Sequence, residues 1–137
     1  MTRPILLDTC ALLWLANGDR LAAGIEVVLA EAEREPGGLN VSPISAWEIG
    51  ELVSRRRVVL PMHPMAWFEA TLQSGIGLAP MPPSVLVESS FLPDGGLRDP
   101  ADRIIVATAR AFGYRIMTRD RLILDFAEAG HAQAIAC

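Results

Sequence analysis

The chain contains no lysine: all 12 of its basic residues are arginine. That absence removes several phosphate chemistries at once. A P-loop needs a Gly-Lys pair, which cannot occur here. Receiver-type aspartyl-phosphate sites and the haloacid-dehalogenase phosphatases, which Asp8-Thr9 would otherwise suggest, also use a lysine beside their acidic pockets. Cysteine is scarce too. Cys10 and Cys137 make no disulfide framework. The two histidines, His63 and His131, are isolated and lack zinc-ligand spacing, so both are expected on the surface. No apolar run is long enough to cross a membrane, and the start MTRPILLDTC has neither a signal-peptide core nor a cleavage site. A cytoplasmic protein without membrane contact is the expectation. The formal net charge of −4 argues against a double-stranded-DNA groove binder. It leaves a nuclease open, because a metal-binding cluster of carboxylates makes a protein look acidic until the ion is bound.

What is present is the composition of a globular domain: 51% apolar and 20% charged over 137 residues. One domain, residues 1–137, is expected. Residues 4–8 (PILLD) read as a short buried strand and 9–16 as a helix. A second helix is expected over 21–35 and a strand over 39–42. A helix over 43–57 has Pro43 at its first position behind Ser42. Further helices are expected over 64–74 and 83–91, with a strand at 77–81 between them and a glycine-containing loop at 92–97. Residues 100–112 read as a helix, 115–118 as a strand, 121–127 as a helix and 134–136 as an edge strand. Alternating strands and helices predict an α/β three-layer sandwich, a mostly parallel central sheet flanked by helices. Ligands of such sheets bind beyond the carboxyl ends of the strands. Asp8 and Asp120 both fall there.

The acids admit two readings, as helix caps or as metal ligands. Asp8 follows a strand and precedes a helix, so it suits an N-cap. Glu48 lies nearly two turns inside its helix, on a stripe with Ile44 and Leu52. A carboxylate on an apolar stripe needs a partner, an arginine or a cation. In DPADR, Asp99 fits an N-cap with Pro100 at N1. Asp102 then sits at N3 beside the buried face and is the better ligand candidate of the two. Asp120 again fits an N-cap, and Thr118 is placed to hydrogen-bond a water or a phosphate at the same edge. Several acids at strand ends and helix starts suit a hard cation, which takes oxygen ligands and keeps waters. Cys10 reads as core packing, Trp14, Trp47 and Trp67 as core or interface, and Arg55-Arg56-Arg57 as a solvated helix end or a phosphate-contacting patch.

The motifs LLDTCALLW (6–14), ISAWEIGEL (44–52), DPADRIIVATARAFG (99–113) and IMTRD (116–120) together resemble the PIN-domain family, and within it the VapC toxins of bacterial type II toxin–antitoxin pairs. The resemblance spans nearly the whole chain. It implies an acidic quartet of Asp8, Glu48, Asp102 and Asp120, acting as catalytic residues and metal ligands. Thr9, Asp99 and Thr118 would lie just outside the direct ligands. It further implies Mg²⁺ or Mn²⁺ as cofactor and RNA cleavage by an activated water, leaving a 5′ phosphate and a 3′ hydroxyl. A cognate antitoxin protein is implied as partner, in a homodimer or higher toxin–antitoxin assembly. An apolar groove near residues 12–15 and 52 would receive the antitoxin, and Trp67-Phe68 would offer exposed apolar surface for dimerisation. A housekeeping PIN ribonuclease and a non-catalytic protein-binding module are the alternatives.

Overall fold

The computed structural model describes residues 3–94 and 96–137. Gly95, within the expected loop at 92–97, lies outside the described residues, as do Met1 and Thr2. The elements run β1 (Ile5–Leu7), α1 (Thr9–Asn17), α2 (Ile25–Glu33), β2 (Leu39–Val41), α3 (Pro43–Ser54) and α4 (Pro64–Gln73). They continue with β3 (Gly77–Leu78), α5 (Pro83–Glu88), α6 (Pro100–Phe112), β4 (Arg115–Thr118), α7 (Arg121–Glu128) and β5 (Ala134–Ala136). The five strands form one sheet in the order β3-β2-β1-β4-β5, and every pairing is parallel.

The central strand shows why the sheet is covered on both faces. Ile5, Leu6 and Leu7 are all fully buried, the pattern of a parallel strand between two helix layers. Side chains alternate along it. Ile5 and Leu7 pack with Leu12, Leu29, Ile49, Trp67 and Phe68, a core built from α1 to α4. Leu6 packs with Ile105, Val106, Ile116, Ile123 and Phe126, a second core under α6 and α7. The expected three-layer sandwich is therefore present, with its sheet parallel throughout. Among the described residues no helix is long and apolar enough to cross a membrane.

Several boundaries differ from expectation. Helix α2 is shorter at both ends, because Gly24 begins it at φ 86 and the chain before it is a turn. Ser42 is the N-cap of α3, its hydroxyl accepting from the Ile44 amide at 3.1 Å, and so does not extend β2. Helix α3 stops at Ser54, where the Arg56 amide donates to Val53 and the Arg57 amide to Leu52 in a Schellman turn. Trp67 and Phe68 are only 7% and 4% exposed and offer no dimer surface; their spacing turns them into the core. Trp47 is 60% exposed and belongs to neither core. His63 is exposed and caps α4, while His131 is half-buried against the Phe126 ring at 5.0 Å.

The turn from α2 into β1's neighbour is set by a close approach. A Cβ on Gly38 would lie 1.9 Å from the Ala32 carbonyl oxygen, a backbone atom that cannot swing aside. The Gly38 carbonyl also accepts from Ile5, so its position fixes the pairing of β2 with β1. Gly38→Ala is expected to destabilise the fold by at least the ~1–3 kcal/mol typical of overpacking. Chemical denaturation would read this, and an unchanged midpoint would show that the α2–β2 turn does not constrain the sheet.

Candidate active site

The strand order places a topological switch between β1 and β4. The chain leaves β1 toward β2 and β3, then crosses to β4 on the other side. A crevice at the carboxyl ends of such a strand pair is where ligands of open parallel sheets bind. Asp8 follows β1 there, and Thr118 ends β4.

Asp8 is 6% exposed and satisfied on both oxygens. Oδ1 accepts from the Ala11 amide at 2.7 Å, capping α1, and Oδ2 accepts from the Thr118 hydroxyl. The Thr118 oxygen in turn accepts from the Asp120 amide at 2.9 Å. Thr118 is fully buried and its hydroxyl is committed to these two partners, so it does not face a water or phosphate as expected. Asp120 caps α7 through the Ile123 amide at 3.1 Å. Asp99 caps α6, accepting from the Asp102 amide at 3.0 Å, and Asp102 stands in the first turn of that helix. Glu48 is half-buried on α3, and the Thr9 hydroxyl donates to its Oε1 at 2.5 Å. Thr9 also contacts the fully buried Ser45 hydroxyl at 2.8 Å. The cap reading thus holds for Asp8, Asp99 and Asp120, and it leaves their shared location to be explained.

Electrostatics shows that the acids face one another. Burial raises the Asp8 pKa above the carboxylate range, against the Thr118 and Ala11 hydrogen bonds, with the Asp120 charge adding to the rise. Burial also raises Glu48, against the Thr9 bond, and the charges of Asp99 and Asp8 add to it. Asp102 is pushed up to about 7, first by burial and then by Asp99, Asp120, Glu48 and Asp8. Among the described residues no arginine forms an ion pair with any of these three carboxyls. Among the described residues the ion pairs within 4 Å are Arg55–Glu51 and Arg121–Asp125, both on helix surfaces. The partner Glu48 required is therefore a hydroxyl, and the excess negative charge is uncompensated.

That donor set fits a hard divalent cation. It is all oxygen, part-buried and lacks a counter-charge. Among the described residues no three such groups converge tightly enough to ligate one ion directly. A small hard cation keeps several waters and needs only one or two carboxylates in direct contact. Cavities of about 450 Å³ beside Leu12, Leu15 and Thr71, and about 590 Å³ beside Arg115 and Leu124, contain none of the four acids.

Two site residues escaped the sequence reading. Ser45 lies one helical turn before Glu48 and meets Thr9 from the same helix. Cys10 is exposed, not core, because α1 turns it toward the acids. Its thiol is pushed up to about 11 by partial burial of the sulfur and then by Asp8, Glu48, Asp102 and Asp120.

The PIN domain model matches residues 5–130, and the chain belongs to the PIN-domain family. Ribonuclease VapC22 of Mycobacterium tuberculosis is 31% identical over 121 residues, covering 88% of this chain and 89% of that protein. The fold is similar to that of FitAB bound to an IR36 DNA fragment, with a TM-score of 0.53 and 19% identity over 96% of this chain and 94% of that one. FitAcB from Neisseria gonorrhoeae gives a TM-score of 0.53 and 20% identity over 96% of each chain.

The raised Asp102 pKa has a stability consequence. Below the ordinary value of 3.8 the carboxyl is protonated in both folded and unfolded chains. Between 3.8 and about 7 the folded protein keeps a proton that the unfolded chain has lost. Stability of the metal-free protein therefore falls as pH rises through that window and levels off above it. Asp102→Asn should flatten this fall and raise the melting temperature above wild type at pH values beyond the window. A thermal melt series in chelator reads both, and an unaltered slope in the variant would contradict the assigned crowding.

Proposed function

We propose that this protein is a divalent-cation-dependent endoribonuclease, the toxin of a type II toxin–antitoxin pair, with residues 1–137 working as one domain. The observation that carries the nuclease reading is the group of mutually repelling, part-buried carboxylates at the β1/β4 switch, with no arginine ion-paired to them among the described residues. The toxin reading is supported by the similarity to a VapC ribonuclease across most of the chain and by the motifs described above. No specific observation favours the housekeeping or non-catalytic alternative.

In this reading Asp8, Glu48, Asp102 and Asp120 hold Mg²⁺ or Mn²⁺. Such a cation, when bound, supplies Lewis acidity at the scissile phosphate and a water of lowered pKa. The chain's own contribution is positional. Thr118 and the Ala11 amide hold Asp8 in one rotamer, and Thr9 aims Glu48. The N-termini of α1, α6 and α7 carry Asp8, Asp99 and Asp120 as caps, so the positive ends of three helix dipoles lie at the same edge. They ease the repulsion among the acids and favour the approach of a phosphate. Asp120 orients the attacking water, which adds to phosphorus as the bond to the 3′ oxygen breaks. A 5′ phosphate and a 3′ hydroxyl result.

Purified protein should cut cellular RNA at discrete sites with Mn²⁺ or Mg²⁺ and not in chelator. Asp8→Asn keeps a good helix cap and should cut at least ~10²-fold more slowly, the scale lost when an electrostatic group of a catalytic site is removed. Cutting that survives both chelator and Asp8→Asn would refute the assignment. A short neighbouring reading frame whose product binds the protein and suppresses cutting would establish the toxin role. A product that leaves cutting unaffected would favour RNA processing.

A further inference from the structure

Three arginines in succession close α3, a quarter of the 12 basic residues of a lysine-free, acidic chain. Arg57 and Arg55 line a cleft of about 210 Å³ with Trp47, Glu48, Glu51 and Leu52. This cleft is smaller than the ~300–1,000 Å³ of a small-molecule pocket. Its wall includes Glu48, one of the four acids of the carboxylate site.

The aromatic wall is distinctive. Trp67 is buried, and Trp14 lies beneath the Arg119 guanidinium at 3.9 Å. Trp47 is the tryptophan left 60% exposed. A single exposed apolar residue is ordinary; an exposed indole set between a carboxylate site and arginines is the combination used to hold an unstacked base and its phosphate. Arg55 is paired with Glu51 at 3.2 Å, which neutralises the second acid of the cleft. Among the described residues Arg56 and Arg57 make no ion pair.

The backbone places Arg57 there. Arg56 has φ 59, the left-handed conformation that glycine adopts without strain, and is the non-glycine residue that does so among those described. Through the Schellman turn the Arg57 amide donates to the Leu52 carbonyl at 2.9 Å, folding Arg57 back over the last turn of α3 toward Trp47.

We infer that this cleft is a nucleotide subsite for the RNA strand, with one unpaired base stacked on Trp47 and its phosphate held by Arg57, adjacent to the scissile position. The inference rests on the ribonuclease reading above and specifies how that site takes its substrate.

The test is fluorescence anisotropy with a short, unstructured, fluorescein-labelled RNA of mixed sequence, in Mg²⁺, with every form in an Asp8→Asn background to hold off cutting. Trp47→Ala should weaken binding about tenfold, while Trp47→Phe retains most of it. Arg57→Gln should reduce the slope of log affinity against log salt by about 0.7, the value for one phosphate contact of a single strand. Arg57→Gln is also the separating variant: the backbone turn is untouched, so the melting temperature should hold while RNA affinity falls. Unchanged affinity across the set overturns the subsite. So does loss of binding to a protein partner with RNA affinity intact, which would make the cleft a protein-docking surface. Cleavage by the Asp8-intact chain is measured alongside. Cutting with unchanged variant affinities removes the subsite alone, whereas no cutting and no RNA binding removes the ribonuclease reading with it.

Discussion

Two donors hold the oxygens of the nearly buried Asp8, the Ala11 amide on one and the Thr118 hydroxyl on the other, and both offset part of the burial that raises its pKa. The first caps α1, and the second joins the carboxyl ends of the adjacent central strands β1 and β4. The same hydroxyl accepts the Asp120 amide, so one threonine ties β1, β4 and the start of α7 together. An isosteric valine would fit the space and leave a buried carboxylate oxygen and a buried amide without their partner, which costs more than the bond itself contributes. The site is built outward from this bridge. Glu48 and Thr9 extend it across α1 to α3, and Asp102 completes it from α6.

The arrangement trades stability for chemistry. Burial and mutual repulsion raise the pKa of Asp8, Glu48 and Asp102 in the absence of a cation. A helix cap needs one carboxylate; nothing about capping requires several at one edge. Arg56 in a left-handed backbone is a second local cost of the same kind. Such costs gather at functional sites, where the surrounding structure over-determines them. Here the over-determination comes from two cores of branched aliphatic and aromatic side chains clamping a sheet whose central strand is fully buried.

Much of this was legible in the sequence because local chemistry and global fold agree. The α6 boundaries follow from Asp99-Pro100 at one end and Gly113 at the other, a left-handed C-cap at φ 76. The start of β4 follows from the turn at Gly113. The edge location of Asp8 and Asp120 follows from strand order. What the sequence hid depends on rotation about helix axes. Trp47 and Trp67 have similar neighbours, yet one faces solvent and the other the core. Cys10 lies on an apolar helix but on the side that meets the acids. Thr118 shows a polar residue at a strand end, and only the structure shows that its hydroxyl is already committed to Asp8.

The central claim is that the carboxylates meet in order to hold a cation at the β1/β4 switch. Anomalous diffraction from crystals soaked in Mn²⁺ tests it most directly. The account predicts a peak beside Asp8, completed by waters and by one or more of Glu48, Asp102 and Asp120. Well-ordered carboxylates with no peak there, or a peak only at a distant surface, would contradict it.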